Sequence, residues 1–85
     1  MPSYLVETYL ARGRAWERTA CERRARSAVE ELAREGIEVG FERSIHVPED
    51  EICFFVFSAG SGEDAALAAE RADLDPVRVV GTIAS

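Results

Sequence analysis

The chain has 85 residues, 47% of them hydrophobic, and a formal net charge of -6 at pH 7. That length predicts one domain, 1-85, burying only about 60 to 65% of its unfolded surface; no run approaches the roughly 18 consecutive apolar residues of a membrane span. An acidic chain is a poor nucleic-acid binder, because that affinity comes from neutralising phosphates, and two cysteines without close spacing, Cys21 and Cys53, exclude a zinc ribbon and indicate no disulfide framework.

The start of the chain lacks the charged-then-apolar pattern of a signal peptide. A soluble cytoplasmic protein with neither nucleic acid nor membrane as partner is the expectation. All ten basic residues are arginine, which fits a bacterial codon bias better than a chemical purpose.

Met1 to Leu10 is rich in β-branched and aromatic residues and predicts a first strand. Tyr4, Val6, Thr8 and Leu10 would share one face, with Leu5, Glu7 and Tyr9 on the other. Arg12-Gly13-Arg14 breaks this pattern, and alanine, arginine and glutamate from Ala15 to Glu35 predict a helix. Cys21, Ala25, Ala28, Val29 and Leu32 recur at three- and four-residue steps as its apolar stripe. Residues 12 to 35 hold seven arginines against five glutamates. Glu22 with Arg26, and Glu30 with Arg34, would form ion pairs along a solvated face. Gly36 is placed to end the helix in the left-handed conformation.

Ile37 to Val47 and Ile52 to Ser58 predict a β-hairpin closed by Pro48-Glu49-Asp50-Glu51. Val47 then stands opposite Ile52, and the register follows outward from that pair. Ile45 faces Phe54 and Arg43 faces Val56 on one side; His46 faces Cys53, Ser44 faces Phe55 and Glu42 faces Phe57 on the other. Gly60 to Asp64 is a loop entering a second helix, with Ser61 as its cap and Asp64 three residues on. Ala65, Ala68, Ala69 and Ala72 form its small-residue face. Asp75-Pro76 stops that helix, and Pro76 to Ala84 predicts the last strand.

The order β-α-β-β-α-β predicts an α+β, ferredoxin-like βαββαβ sandwich, with a four-stranded antiparallel sheet carrying both helices on one face. Val6, Phe41, Ile45, Phe54, Val56, Val79 and Ile83 are the expected helix-facing positions. Leu5, Tyr9, Phe55, Phe57 and Val80 would lie uncovered, at about 1.5 to 3 kcal/mol for each large side chain left in water. A patch of that kind marks an interface. The expectation is therefore a homodimer of dimeric α/β-barrel type, enclosing Glu7, Tyr9, Ser44, His46 and Cys53 between two sheets.

The segment Arg43-Ser44-Ile45-His46-Val47-Pro48-Glu49-Asp50-Glu51-Ile52-Cys53-Phe54, with Tyr4-Leu5-Val6-Glu7 before it and Arg71-Ala72-Asp73-Leu74 after it, resembles a family of small bacterial nickel-binding proteins formerly catalogued as a domain of unknown function. The resemblance spans nearly the whole chain. It implies a ferredoxin-like fold, a dimer, and divalent nickel held for sequestration or tolerance.

The residues themselves leave several functions open. His46 and Cys53, as cross-strand neighbours, bring an imidazole and a thiol within reach of one ion, and Glu7 or Glu42 would add oxygen. Against the metal site stands a structural histidine beside an inert buried cysteine. An enzyme or small-molecule-binding dimer would use His46 as general base, with Glu7, Tyr9, Ser44 and Phe55 around the ligand. A non-catalytic association module would need only the apolar face.

Overall fold

A computed structural model describes residues 1–83 of the chain. It is an α+β protein in which two helices pack on one antiparallel four-stranded sheet. The strands are β1 (Ser3–Tyr9), β2 (Val39–Val47), β3 (Ile52–Ala59) and β4 (Arg78–Gly81); the helices are α1 (Glu17–Arg34) and α2 (Gly62–Arg71). The sheet order is β2-β3-β1-β4, an arrangement compatible with a ferredoxin-like βαββαβ fold. The molecule is a slab only 17 Å thick.

Both helices follow from local chemistry. The α1 stripe is buried at Ala25, Ala28 and Leu32, and Cys21 and Val29 pack against the same core. Its end is a Schellman turn: Ile37 N–H donates to Leu32 O at 2.9 Å and Gly36 N–H to Ala33 O at 3.0 Å, with Gly36 at φ 85°, a conformation that costs glycine least. Ser61 Oγ accepts from Asp64 N at 3.2 Å to cap α2, and Ala65, Ala68, Ala69 and Ala72 are all buried. The same turn ends α2, with Leu74 N–H donating to Ala69 O at 3.0 Å and Asp73 at φ 58° in glycine's role.

The hairpin closes on Val47 and Ile52 as the pattern predicts, and Ile45–Phe54, Arg43–Val56, His46–Cys53 and Ser44–Phe55 pair in the expected register. Its two faces, however, are the reverse of the expectation. Phe55 and Phe57 are 1% and 0% exposed within the helix-side core, and Cys53 is buried with them. Ile45, Phe54 and Val56 point away from the helices, and Val56 is buried by its sheet neighbours outside that core.

A β-bulge is the physical reason. The register shifts between Phe41 and Arg43, so Phe41, not Glu42, stands opposite Phe57. An extra residue in one strand changes which parity faces inward. Val39 and Phe41 face the helices before the bulge; Ser44 and His46 do so after it. Phe41 then packs against Phe57 and Phe55 with ring centroids 5.3 and 6.4 Å away, under the Arg26 guanidinium of α1.

Three smaller expectations are also corrected. Helix α1 starts at Glu17 rather than Ala15, because a 3-10 turn at Arg12–Arg14 and the two residues after it carry the chain round the corner. Strand β4 ends at Gly81, and Ile83, expected to face the helices, is 98% exposed beyond it; the predicted end at Ala84 lies outside the described residues. Glu22–Arg26 and Glu30–Arg34 are not among the ion pairs of the described residues. Arg71 instead bridges α2 to Glu31 of α1 and to Glu35, the residue just after that helix, at 3.3 and 2.6 Å.

Candidate functional site

The residues singled out as a metal or ligand site are divided between the two sides of the sheet. On the helix side, His46, Cys53 and Thr8 occupy adjacent positions of β2, β3 and β1. Thr8 Oγ1 donates to Cys53 O at 2.9 Å inside the core. Ser44 Oγ donates to the Glu22 carboxylate of α1, holding the helix over this row. The Nε2 atom of His46 is buried and has no hydrogen-bond partner. Buried polar nitrogens are nearly always paired.

Glu7, Glu42 and Tyr9 lie on the other face. The Glu7 carboxylate accepts from Arg78 Nε at 2.8 Å, as cross-strand neighbours do, and Glu42 accepts from Ser3 Oγ at 2.6 Å. Tyr9 is 61% exposed. A sheet of paired backbone separates these groups from His46 and Cys53, so neither carboxylate joins the imidazole and thiol. The alternative ligand set of Glu7, Tyr9, Ser44, His46 and Phe55 is split in the same way, and Phe55 is a core residue. Among the described residues no three histidine, cysteine, aspartate or glutamate side chains converge to hold a metal ion.

Burial pushes the Cys53 thiol up to about 11 from its ordinary 9.0, with Arg18 opposing the rise and Cys21 and Glu22 adding to it. Cys53 is therefore protonated at neutral pH and a poor nucleophile. Both cysteines are free thiols. Cys21 Sγ accepts from Arg24 Nη2 at 3.4 Å, and the same guanidinium donates through Nε to Ala72 O at 2.8 Å and through Nη2 to Asp73 O at 3.3 Å. Arg24 thus neutralises the carbonyl end of α2. Sequence reasoning paired Glu22 with Arg26 and did not single out Arg24, since Ser44 and Ala72, their partners here, are more than twenty positions away and no local spacing announces them.

Two surface grooves lie away from the His46–Cys53 pair. One, of about 540 Å³, is lined by Ala66, Glu70, Asp73, Asp75 and Pro76. The other, of about 230 Å³, is lined by Ala33, Gly36, Ile37 and Glu38. No helix among the described residues is long and apolar enough to cross a membrane. Comparison of the chain with protein-family models, curated proteins and solved structures finds no match.

Proposed function

We propose that the protein binds one exchangeable transition-metal ion between His46 and Cys53, nickel being the ion that the sequence resemblance implies, and that it acts in sequestration rather than catalysis. The observation that carries this reading is the buried, unpartnered Nε2 of His46 directly across the ladder from the Cys53 thiol. Cross-strand β-carbons sit about 4.5 to 5.5 Å apart, and imidazole with thiolate suits nickel, copper or zinc. Cys21 and Glu22 of α1 lie on that side as well, close enough to act on the Cys53 thiol. Glu7 and Glu42 are not part of this set.

Two donors give an open, weakly held site rather than a closed structural cage. The raised Cys53 value adds to that weakness, because a thiol ligand must lose its proton before it binds. Free cysteines suit a reducing compartment, which supports a cytoplasmic setting.

Calorimetric titration with nickel chloride tests the reading. Binding is expected to release protons, to strengthen as pH rises, and to produce a thiolate-to-metal absorption band. His46→Ala and Cys53→Ser should each abolish it, and Glu7→Gln and Glu42→Gln should leave it unchanged. An isotherm indifferent to His46→Ala would remove the site.

A further inference from the structure

We infer that Glu22 is a third ligand of the His46–Cys53 pair and that Ser44 is its latch: the carboxylate leaves the serine hydroxyl to join the imidazole and the thiolate around one divalent cation. The inference deepens the metal reading and rests on it. Glu22 is half-buried on α1, next to Cys21 of the inner stripe, and glutamate is rarely taken out of water unless paired. Its hydrogen-bond donor here is the neutral Ser44 hydroxyl, and it takes part in none of the ion pairs of the described residues. The buried Nε2 of His46 has no partner either. A carboxylate without a counter-charge and an imidazole nitrogen without a partner, on the same side of one sheet, are both satisfied by a cation between them.

The strand geometry brings the two together. Ser44 and His46 share a face of β2, two residues apart at about 3.3 Å of rise each, and Cys53 is the partner of His46 across the ladder. Glu22 therefore sits over the position adjoining the pair. Burial raises the Cys53 value most, Arg18 opposes the rise, and Cys21 and Glu22 add to it, so the field of the carboxylate reaches the thiol. Held on Ser44, the carboxylate does not converge with the other two side chains; release from the hydroxyl is the step that completes the set.

Charge gives the class of ion. A neutral imidazole and one thiolate balance a cuprous ion, but they leave a divalent ion with an uncompensated positive charge in a largely buried place, which is costly. Adding the Glu22 carboxylate makes the divalent complex neutral. Carboxylate oxygen is also a harder donor than thiolate sulfur. Glu22 thus turns a pair that suits copper(I) into a site that prefers nickel or zinc, and Arg18 beside the thiol increases the need for the second negative charge.

Calorimetric titration of the metal-stripped full chain with nickel chloride tests this, alongside copper(I) titration against a competing chelator, in wild type, Glu22→Gln, Ser44→Ala and His46→Ala. Glutamine keeps an acceptor for Ser44, so Glu22→Gln retains the fold, which circular dichroism verifies. It should weaken nickel binding at least about tenfold and leave copper(I) binding unchanged. Ser44→Ala removes a hydrogen bond that competes with the ion, so it should tighten nickel binding by roughly tenfold while lowering the midpoint of chemical denaturation; a purely structural Glu22–Ser44 contact predicts no such opposition. Nickel affinity unchanged in Glu22→Gln, or weakened in Ser44→Ala, with His46→Ala abolishing binding, overturns the role of Glu22 and leaves the His46–Cys53 site standing. A wild type that takes up no nickel, or binding indifferent to His46→Ala, overturns both.

Discussion

Ser44 on β2 donates its hydroxyl hydrogen to the Glu22 carboxylate on α1, which places Ser44, and with it His46 two residues on, beneath the helix. The contact links elements that are distant in sequence, and it lies on the side of the hairpin that the helices cover. Ser44→Ala leaves a partly buried carboxylate without its donor and should cost about 1 to 3 kcal/mol, read from the midpoint of chemical denaturation.

The two neighbouring aromatics of β3 should respond very differently to truncation. Phe55 is 1% exposed in the core, so Phe55→Ala is expected to cost roughly 3 to 5 kcal/mol, enough to unfold a domain of this size. Phe54→Ala, on the open face, should cost only about 1 kcal/mol. The opposite ranking would reverse the assignment of faces.

Alkaline stability reports the buried thiol. The Cys53 value rises on folding from 9.0 to about 11, so the folded state holds a proton that the unfolded state releases between those values. The stabilisation is fully present below about pH 9 and falls as pH rises towards 11, by on the order of 2 kcal/mol. Cys53→Ala should flatten this slope in urea denaturation series. Alkylation of Cys53 in the native protein should be slow at pH 8.

On the acid side, Arg71 bonds to Glu35 and holds its carboxyl below the ordinary value. A lowered folded value means stability that is present above the unfolded value of 4.5 and declines as pH falls through the folded one. The pair is exposed to solvent, so its effect is best seen at the residue itself. Carboxyl NMR titration should show the Glu35 midpoint returning upward in Arg71→Gln.

Ser61→Ala removes the cap of α2 and should cost about 1 kcal/mol, with Ser61→Asp close to neutral. Thermal melts of the two variants distinguish loss of the cap from general damage to the loop.

The candidate site was legible only in part. The His46–Cys53 juxtaposition followed from the Pro-Glu-Asp-Glu connection, because a closing pair and alternation settle every later pair in the ladder. The grouping of that pair with Glu7 and Glu42 did not survive folding. One bulge residue near Phe41 reversed the faces of the hairpin from Ser44 through β3, and side chains on opposite faces of a sheet do not meet.

Element order, the alanine stripes, the left-handed turn at Gly36, the Ser61 cap and the Val47–Ile52 closure are written in the sequence, since each depends on residues within a few positions of one another. Which face of the hairpin the helices cover, the partner of Glu22, the Arg24 clasp on the end of α2 and the solitary buried nitrogen of His46 were decided only by tertiary structure. Those outcomes depend on a one-residue irregularity and on contacts across twenty to fifty positions of chain, where burial of Phe55 and Phe57 outweighs what any local pattern records.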